Sequence, residues 1–207
     1  MSFLTSPASL LRASMTISIR PMRSADLPEV LALQAEAYAS ATFELEGHDF
    51  FANRLQLAPA CCLAAQAPDG TLAGYLVSYP WRGDAVPALG VPLPALPAPP
   101  DRWYLHDCAV ARRARGQGVA PALHAAGARA AREQGLRQAA LVALADAVAY
   151  WQRLGYQARQ LPGGELAGYG PGAAYMQRPL AVPPQEGAAR ALPGLHAAAS
   201  TACGSRR

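Results

Sequence analysis

One junction constrains the fold of this chain more than any other part of its sequence. An apolar, strand-like run at 104–110 leads into a short basic loop, which narrows to Gly-Gln-Gly at 116–118 and continues as an alanine-rich helical pattern. Glycines let a backbone approach a ligand closely, and the first turn of a helix presents N–H groups without helical partners. Arg112, Arg113 and Arg115 add positive charge. The junction therefore predicts a strand-to-helix turn that holds phosphate.

The loop lacks both of the common nucleotide-binding patterns. It has no Gly-x-x-x-x-Gly-Lys-Ser/Thr motif, and the 207 residues include no lysine. It also lacks a third glycine at Rossmann spacing and the acidic residue about 20 positions later that would hold a ribose. The remaining pattern, Arg-x-x-Gly-x-Gly/Ala, fits in two registers, which begin at Arg113 and at Arg115. Taken alone, such a pattern is also typical of an ordinary strand-to-helix turn.

The motif and its setting resemble the pyrophosphate loop of the GCN5-related N-acetyltransferase (GNAT) superfamily, which follows the fourth strand of that fold. In that family the motif arginine usually stands five positions after the last valine of the strand, as Arg115 stands after Val110. The resemblance therefore favours the second register, from Arg115 to Ala120. Pro121 then falls in the first helical turn, where its missing N–H costs nothing.

The order of the predicted elements extends the resemblance over residues 16–180. The sequence patterns predict strands at 16–20, 61–67, 71–79, 103–110, 136–144, 156–160 and 173–178, and helices at 24–39, 48–57, 119–134 and 146–154. The segment Tyr-Trp-Gln-Arg-Leu-Gly-Tyr at 150–156 is similar to the end of the family's fourth helix, and 175–180 is similar to its last strand. The resemblance implies an α/β (α+β) fold. Its mixed, mostly antiparallel twisted sheet has about six or seven strands, about four flanking helices and a V-shaped splay between strands 4 and 5.

Length and composition indicate one domain with additional chain at both ends. We expect an N-acetyltransferase domain at 15–180, a loose extension at 1–14 or a true start at Met15, and a mobile Ala/Pro/Gly-rich tail at 181–207. Hydrophobic residues make up 52% and charged residues 15% of the chain, which suits a globular core. A 22-residue loop at 80–101 holds seven prolines and is too stiff and long for a simple connector.

Charge, hydropathy and cysteine spacing exclude several function classes. The net charge of +4 comes without a long basic stripe, which favours an anionic cofactor over nucleic acid. The sequence contains no run of 18 apolar residues, so it predicts no membrane-spanning helix. The four cysteines lack metal-ligand spacing and are interpreted as reduced thiols of a cytoplasmic protein. A homodimer is one arrangement that the sequence leaves open.

The resemblance implies acetyl-coenzyme A as co-substrate, an amine as acceptor and no metal. Backbone groups of the fourth strand would contact the thioester and the pantetheine arm, and those positions correspond to Cys108, Ala109 and Val110. The pyrophosphate contacts correspond to Arg115, Gly116, Gln117, Gly118, Val119 and Ala120.

An alkylamine with a pKa near 10.4 is mostly protonated at neutral pH, so attack on the thioester requires a base or a dehydrated path. The resemblance places His106 where arylalkylamine acetyltransferases have a histidine, and Tyr104 in place of their second histidine. His106 is either the base or a packed side chain beside the cleft. Strict strand alternation predicts that Asp107 faces away from His106, and a β-bulge would change that. Asp107 is a second candidate, as base or orienting group.

The acid is the point where the sequence departs from the family. Trp151 occupies the usual position of a tyrosine that protonates the departing thiolate, and an indole cannot do so. Tyr150 is the neighbouring candidate, although a helix turns it about 100° away. Otherwise the thiolate leaves unaided, since a thiol pKa of about 8.5 permits this.

Acceptor contacts are expected from the first two helices and the proline loop. The candidate acceptor-binding residues are Tyr38, Phe43, Glu44, Glu46, Trp81 and Tyr104. A pair of acidic side chains near an amine pocket would attract a cation. The two glutamates are interpreted first as a solvated turn. Three functions stay open: acetylation of a small amine, acetylation of a protein N-terminus or lysine, and acetyl-coenzyme A sensing without turnover. The stiff insertion favours the partly closed pocket of the first.

Overall fold

A computed structural model describes residues 16–41, 43–161 and 166–180, so the expected terminal segments 1–14 and 181–207 lie outside the described residues. The fold is built on one seven-stranded sheet with the strand order β1-β2-β3-β4-β5-β7-β6. The strands are β1 (Ser18–Pro21), β2 (Leu63–Gln66), β3 (Leu72–Trp81), β4 (Arg102–Val110), β5 (Gln138–Ala143), β6 (Gln157–Ala158) and β7 (Ala174–Pro179). The helices are α1 (Leu27–Ala37), α2 (His48–Leu57), α3 (Val119–Glu133) and α4 (Val148–Arg153).

The predicted fold class is confirmed, with small differences at element ends. The strand expected at 156–160 is reduced to Gln157–Ala158, and the segment expected to begin the first helix at Ser24 is a 3-10 turn, Ser24–Asp26. Ser24 lies inside this turn, and Asp26 accepts the Arg23 N–H at 2.7 Å. Arg20 holds the same carboxylate from β1, at 2.7 and 2.8 Å. A tertiary ion pair therefore decides how the first helix begins.

The sheet opens between β4 and β5, as the resemblance implies. These neighbours are parallel and pair only through Trp103–Ala139, Tyr104–Ala140 and Leu105–Leu141. Beyond Leu105, β4 continues beside β3, while β5 continues beside β7. The β5-facing edge of β4 is therefore without a strand partner from residue 106 to residue 110 in the described chain. This gap is the V-shaped splay.

A β-bulge interrupts β4 at the mouth of the splay. Val77 of β3 pairs with Asp107 and the next residue, Ser78, pairs with Leu105, so His106 is the extra residue. A bulge reverses the alternation of side chains beyond it. His106 and Asp107 consequently point to the same face of the sheet. The expectation that Asp107 faces away from His106 is wrong for this reason.

Helices cover both faces of the sheet. Phe51 of α2 packs edge-on against Tyr75 of β3, with ring centroids 5.9 Å apart, which places α2 and the adjoining α1 on one face. On the other face, α3 approaches so closely that a Cβ on Gly127 would lie 2.6 Å from Leu76 and 2.7 Å from Trp103. Such a distance excludes any side chain without repacking. The absent side chain of Gly127 allows α3 to lie directly on β3 and β4.

The proline-rich loop between β3 and β4 is fastened to α2. The Asn53 side chain donates to Leu93 O and accepts from Leu93 N, each at 2.9 Å. Arg54, which is completely buried, donates to Val91 O at 2.8 Å. These bonds satisfy backbone groups that a loop pressed against a helix would otherwise leave without partners. The loop is therefore part of the packed structure.

The cysteines and the lengths of the helices were also subjects of prediction from the composition. Cys61, Cys62 and Cys108 are free thiols, of which the first two are buried. Among the described residues, no helix is long and apolar enough to span a bilayer.

A buried histidine on α3 predicts acid sensitivity of the fold. His124 contacts the Tyr156 hydroxyl at 3.0 Å and lies between Trp103 and Trp151. Burial, with smaller contributions from Arg178 and Arg132, lowers the pKa of His124 to about 4 from 6.5. Because the folded state disfavours protonation, His124 contributes stability that is complete above pH about 6.5 and is lost as pH falls towards 4.

We expect the free energy of unfolding of the wild type to fall by roughly 3 kcal/mol more than that of His124→Gln between pH 7 and pH 4. The glutamine can still bond to Tyr156 but does not titrate. Urea titrations at several pH values measure the difference between the two proteins, which cancels the contributions of all other groups. Parallel pH curves for the two proteins would contradict the expectation.

Candidate active site

The splay contains a cleft of about 580 Å³. One wall is β4, at residues 105–110, and the opposite wall is the segment 144–147 with Val142 and Trp151. Residues near the end of α1, including Tyr38 and Phe43, and residues 169–171 close its sides. A volume of this size is typical of a small-molecule site. Arg115, at the start of the phosphate loop, lines one end.

The three loop arginines have different surroundings, which favours the register at Arg115. Arg113 donates to the Thr71 hydroxyl at 3.1 Å and to the Leu72 carbonyl at 2.6 Å, so the β2–β3 turn holds it. Arg112 lies beside Glu36, at 4.0 Å. Arg115 is exposed, and the one hydrogen bond that its side chain makes within the described residues is a long one to Val110 O, at 3.4 Å. Its guanidinium can therefore turn to an anion in the cleft.

The loop also offers backbone donors without partners. Gly116 and Gly118 have φ of 76° and 79°, the left-handed conformation that favours glycine. In the described part of the chain, the N–H groups of Gly116, Gly118, Val119 and Ala120 have no hydrogen-bond acceptor. The α3 N-terminus and Arg115 thus present donors and positive charge together, which fits a pyrophosphate group.

The side chains of Gln117 and Val119 have contacts within the protein. The Gln117 amide donates to Arg113 O at 2.9 Å. Val119 is buried and packs next to Gly74, and residues 116–120 do not line the cleft. Any role of Gln117, Val119 and Ala120 in holding phosphate would therefore be exerted through the backbone.

The β4 residues predicted to contact the thioester arm, Cys108, Ala109 and Val110, all line the cleft. They stand on the unpaired edge of β4, where backbone groups are available to an extended ligand. Burial, reinforced by the charge of Asp107, raises the pKa of the Cys108 thiol to about 12. Cys108 is therefore a neutral thiol at physiological pH, which makes it a poor nucleophile.

A smaller cavity of about 60 Å³ adjoins the cleft on the α1 side. It shares Tyr38, His106 and Asp107 with the cleft and adds the carboxylates of Glu44 and Glu46. Leu89 of the proline loop and Tyr169 also contribute to its wall. The predicted acceptor residue Tyr38 and the predicted bases His106 and Asp107 are thus brought together.

Both ring nitrogens of His106 have partners. Nε2 lies 2.7 Å from Glu46 Oε1, and Nδ1 lies 3.0 Å from the Tyr79 hydroxyl. The imidazole also packs against Phe50, with centroids 4.8 Å apart, and its side chain is only 2% exposed. His106 is thus neither a free imidazole nor merely packed beside the cleft. It is one member of a buried hydrogen-bonded chain.

Glu46 is the residue whose position the sequence did not reveal. The interpretation of both glutamates as a solvated turn holds for Glu44, which is exposed, but is wrong for Glu46, which is 7% exposed. Its partner His106 stands 60 positions away in the chain. No local pattern around Glu46 signals this contact, because the surrounding sequence resembles any polar segment before a helix.

Asp107 is buried and held by two tyrosines. The Tyr38 hydroxyl donates to Oδ1 at 2.6 Å and the Tyr75 hydroxyl donates to Oδ2 at 2.5 Å. Burial raises the pKa of Asp107, while the hydrogen bonds from the two hydroxyls lower it and only partly compensate. Since each carboxylate oxygen has a partner, Asp107 is suited to orient Tyr38 at the point where the two cavities meet.

Tyr104 and Trp81 lie behind the two cavities and line neither of them. Tyr104 is buried among Tyr79, Trp81 and His106, with centroid distances of 5.7, 6.4 and 6.1 Å. Trp81 donates its indole N–H to Ala85 O at 2.7 Å. Tyr104 therefore packs beside the imidazole of His106, and Trp81 packs against Tyr104 and Tyr79.

Tyr150 and Trp151 occupy different environments on α4. Trp151 is buried and lines the cleft. The Tyr150 hydroxyl is buried and has no hydrogen-bond partner among the described residues. Burial, and then the nearby Cys108, raise the pKa of Tyr150 to about 12. A buried hydroxyl without a partner costs stability, and Tyr150 is not among the described residues that line the cleft.

The loop geometry predicts that coenzyme A binding depends on Arg115 and little on Arg113. Removing a charged donor to phosphate costs about 1.5–3 kcal/mol, so Arg115→Gln should weaken binding about 10- to 100-fold in titration calorimetry. Arg113→Gln is the matched control, because Arg113 would be the phosphate ligand in the other register. A larger loss for Arg113→Gln would reverse the assignment, and circular dichroism checks that both variants remain folded.

The sequence family described as the acetyltransferase (GNAT) family matches residues 27–156. No curated protein sequence matched the chain. Among the described residues, no group of three or more His, Cys, Asp or Glu side chains is arranged to hold a metal ion.

Solved structures share the fold at low sequence identity. Ard1 from Thermoplasma volcanium superposes with a TM-score of 0.60 and 19% identity, covering 79% of this chain and 97% of that one. N-acetylglutamate synthase from Neisseria gonorrhoeae, complexed with coenzyme A and N-acetyl-glutamate, superposes with a TM-score of 0.61 and 19% identity. This match covers 80% of this chain and 35% of that one. The GNAT family N-acetyltransferase YhbS from Escherichia coli, in complex with CoA, superposes with a TM-score of 0.52 and 23% identity, and the match covers 86% of each chain. Together with the sequence match over residues 27–156, the shared fold shows that this chain belongs to the acetyltransferase (GNAT) family.

Proposed function

We propose that the protein transfers the acetyl group of acetyl-coenzyme A to the primary amine of a small molecule by direct attack in a ternary complex. One observation carries the proposal. The cleft that begins at Arg115 runs along the unpaired edge of β4 and meets, at His106 and Asp107, a smaller cavity lined by carboxylates. A donor and an amine bound in these two spaces would meet at the bulge in β4.

On the donor side, the residues present fit coenzyme A. Arg115 and the free N–H groups at Gly116, Gly118, Val119 and Ala120 would hold the pyrophosphate. The edge of β4 at Cys108, Ala109 and Val110 would pair with the pantetheine arm. Acetyl-coenzyme A supplies an activated acetyl group as a thioester, and family members solved with coenzyme A include YhbS.

On the acceptor side, the chemistry of the smaller cavity suits a cation. An alkylamine arrives mostly as ammonium. Glu44 and Glu46 attract that charge, and the aromatic rings of Tyr38, Phe43 and Tyr169 offer faces to it. The volume of about 60 Å³, partly closed by Leu89 of the proline loop, supports a small acceptor over a peptide.

Direct attack is supported by the state of the one thiol in the cleft. Cys108 has a pKa of about 12, so it remains protonated and is unsuited to form an acetyl-enzyme. The amine nitrogen would therefore attack the thioester carbon itself, after losing a proton at the His106–Glu46 pair. Tyr150 is the proposed acid for the departing thiolate.

An acceptor screen tests the proposed function. Release of coenzyme A thiol from acetyl-coenzyme A is followed with a panel of small primary amines and with peptides that carry a free N-terminus or lysine. We expect acceptor-dependent release with at least one small amine, at a kcat/KM at least about tenfold above every peptide, a difference of about 1.4 kcal/mol. Higher kcat/KM for peptides would indicate a protein acetyltransferase, and saturable coenzyme A binding without release would indicate a sensor.

Tyr150→Phe should separate catalysis from stability. The phenyl ring keeps the packing against Trp151 and removes only the buried hydroxyl without a partner. We therefore expect the free energy of unfolding to stay level or rise by about 1 kcal/mol. In contrast, kcat should fall by about 10²-fold, since a general acid would be lost. Because the Tyr150 pKa is about 12, the deficit should persist across pH 6–10. Unchanged turnover over that range would exclude Tyr150 as the acid.

A further inference from the structure

We infer that Glu46 is the base that takes the proton from the acceptor amine, and that His106 and the backbone of Gly90 are positioning groups that aim its carboxylate. This inference rests on the proposed acetyl transfer and assigns one atom of that site. Glu46 lies in the loop between α1 and α2, buried at the wall of the smaller cavity, which we call the acceptor cavity.

The two oxygens of Glu46 have different environments. Oε1 accepts from His106 Nε2–H at 2.7 Å and from the Gly90 N–H at 3.1 Å. Oε2 has no hydrogen-bond partner among the described residues. A carboxylate held through one oxygen keeps the lone pairs of the other available. Because Glu46 lines the acceptor cavity, Oε2 is the basic atom available to an ammonium group bound there.

The hydrogen bonds of His106 prevent the imidazole from taking this role directly. An ionised carboxylate only accepts hydrogen bonds, so Nε2 must carry a hydrogen to bond to Glu46. Nε2 carries this hydrogen whether the imidazole ring is neutral or cationic. Nδ1 faces the Tyr79 hydroxyl at 3.0 Å, deep in the aromatic cluster. Neither nitrogen therefore offers a free lone pair to the amine.

The proline loop supplies the second bond to Glu46. Gly90 has φ of 69°, a conformation that favours glycine and turns its N–H towards Oε1. The loop is fastened to α2 at Leu93 by Asn53 and at Val91 by Arg54. With His106 on one side and Gly90 on the other, the carboxylate has one orientation. The insertion thereby acts as a support for the base as well as a cover for the acceptor.

The proton balance of the step is simple. The Glu46 carboxylate takes one proton from the ammonium group, which leaves a neutral amine and a neutral carboxylic acid. The amine nitrogen then forms the C–N bond while the C–S bond breaks, and the sulfur leaves with the bonding electron pair. The second amine proton passes to that sulfur with the help of Tyr150, and Glu46 returns its proton to water.

The kinetic test compares two amines of nearly equal shape. The best alkylamine of the acceptor screen is paired with its analogue fluorinated on the neighbouring carbon, whose lower pKa leaves the amine uncharged at the assay pH. For the alkylamine, Glu46→Gln should lower kcat about 10²- to 10⁴-fold with coenzyme A affinity unchanged within about twofold. For the fluorinated amine, the loss should shrink to about tenfold or less, because no proton has to be removed first.

The same kinetic assay, applied to a control variant, distinguishes a base from a structural role for Glu46. Glu133→Gln, which changes an exposed carboxylate in the last turn of α3, should leave both rates unchanged. Equal losses on the two amines in Glu46→Gln would indicate a structural role and overturn the inference. An effect confined to KM would do the same. Absence of turnover in the wild type with every acceptor would instead contradict the proposed function.

A second measurement needs no acceptor. Nitrogen-15 spectra of the histidine side chains in the full chain, assigned with His106→Gln, report which ring nitrogen carries hydrogen. We expect a hydrogen on Nε2 of His106 in the wild type near neutral pH, held by Glu46. A His106 ring with hydrogen on Nδ1 alone would overturn the inference, because Nε2 would then be free to act as the base.

Discussion

The bulge at His106 is the constraint on which the rest of the site depends. β4 pairs with β5 only as far as Leu105, and the bulge follows at the next residue. The end of the parallel pairing opens the cleft, and the extra residue turns two successive polar side chains, His106 and Asp107, to the α1 and α2 face. A regular strand would bury one of them beneath α3. Strand separation and side-chain direction thus change together at one position.

The polar groups around the bulge are arranged so that few are left without partners. Asp107 is satisfied by Tyr38 and Tyr75, and His106 by Glu46 and Tyr79. Such groups are costly in a low-dielectric interior unless hydrogen bonds replace those to water. The carboxylates of Asp107 and Glu46 lie 2.5–3.1 Å from their donors, while Glu46 Oε2 and the Tyr150 hydroxyl have no partner among the described residues. The unsatisfied oxygens therefore coincide with the places where we propose that proton transfer occurs.

Buried Arg54 links this site to the stability of the insertion. Its side chain is 0% exposed, lies 4.2 Å over the Phe50 ring and donates to Val91 O. A buried guanidinium needs compensation for its lost hydration, and here an aromatic face and a loop carbonyl provide it. The core of α2 consequently requires the proline loop in its docked position. The same docking brings Gly90 to Glu46, so packing energy and site geometry have a common origin.

Local patterns allowed much of the fold to be predicted. The helix predicted at 48–57 has the same bounds as α2, and its large apolar residues Phe50, Phe51 and Leu55 are all buried. The strand, glycine loop and helix at 102–133 were equally readable, because each depends on neighbours within a few residues. The start of α1 was less predictable, since it depends on the ion pair between Arg20 and Asp26, which belong to two different elements.

What the sequence by itself determined is the kind of fold and the place of the glycine loop, because periodicity and glycine spacing act over short distances. Only the tertiary structure decided which arginine faces the cleft, on which side Asp107 lies and that Glu46 meets His106. Arg113 is removed from the cleft by a bond to β3, Asp107 is turned by a one-residue shift in strand register, and Glu46 is brought in by packing of α2 and the proline loop. Contacts between residues distant in the chain depend on how whole elements pack, and no local pattern encodes them.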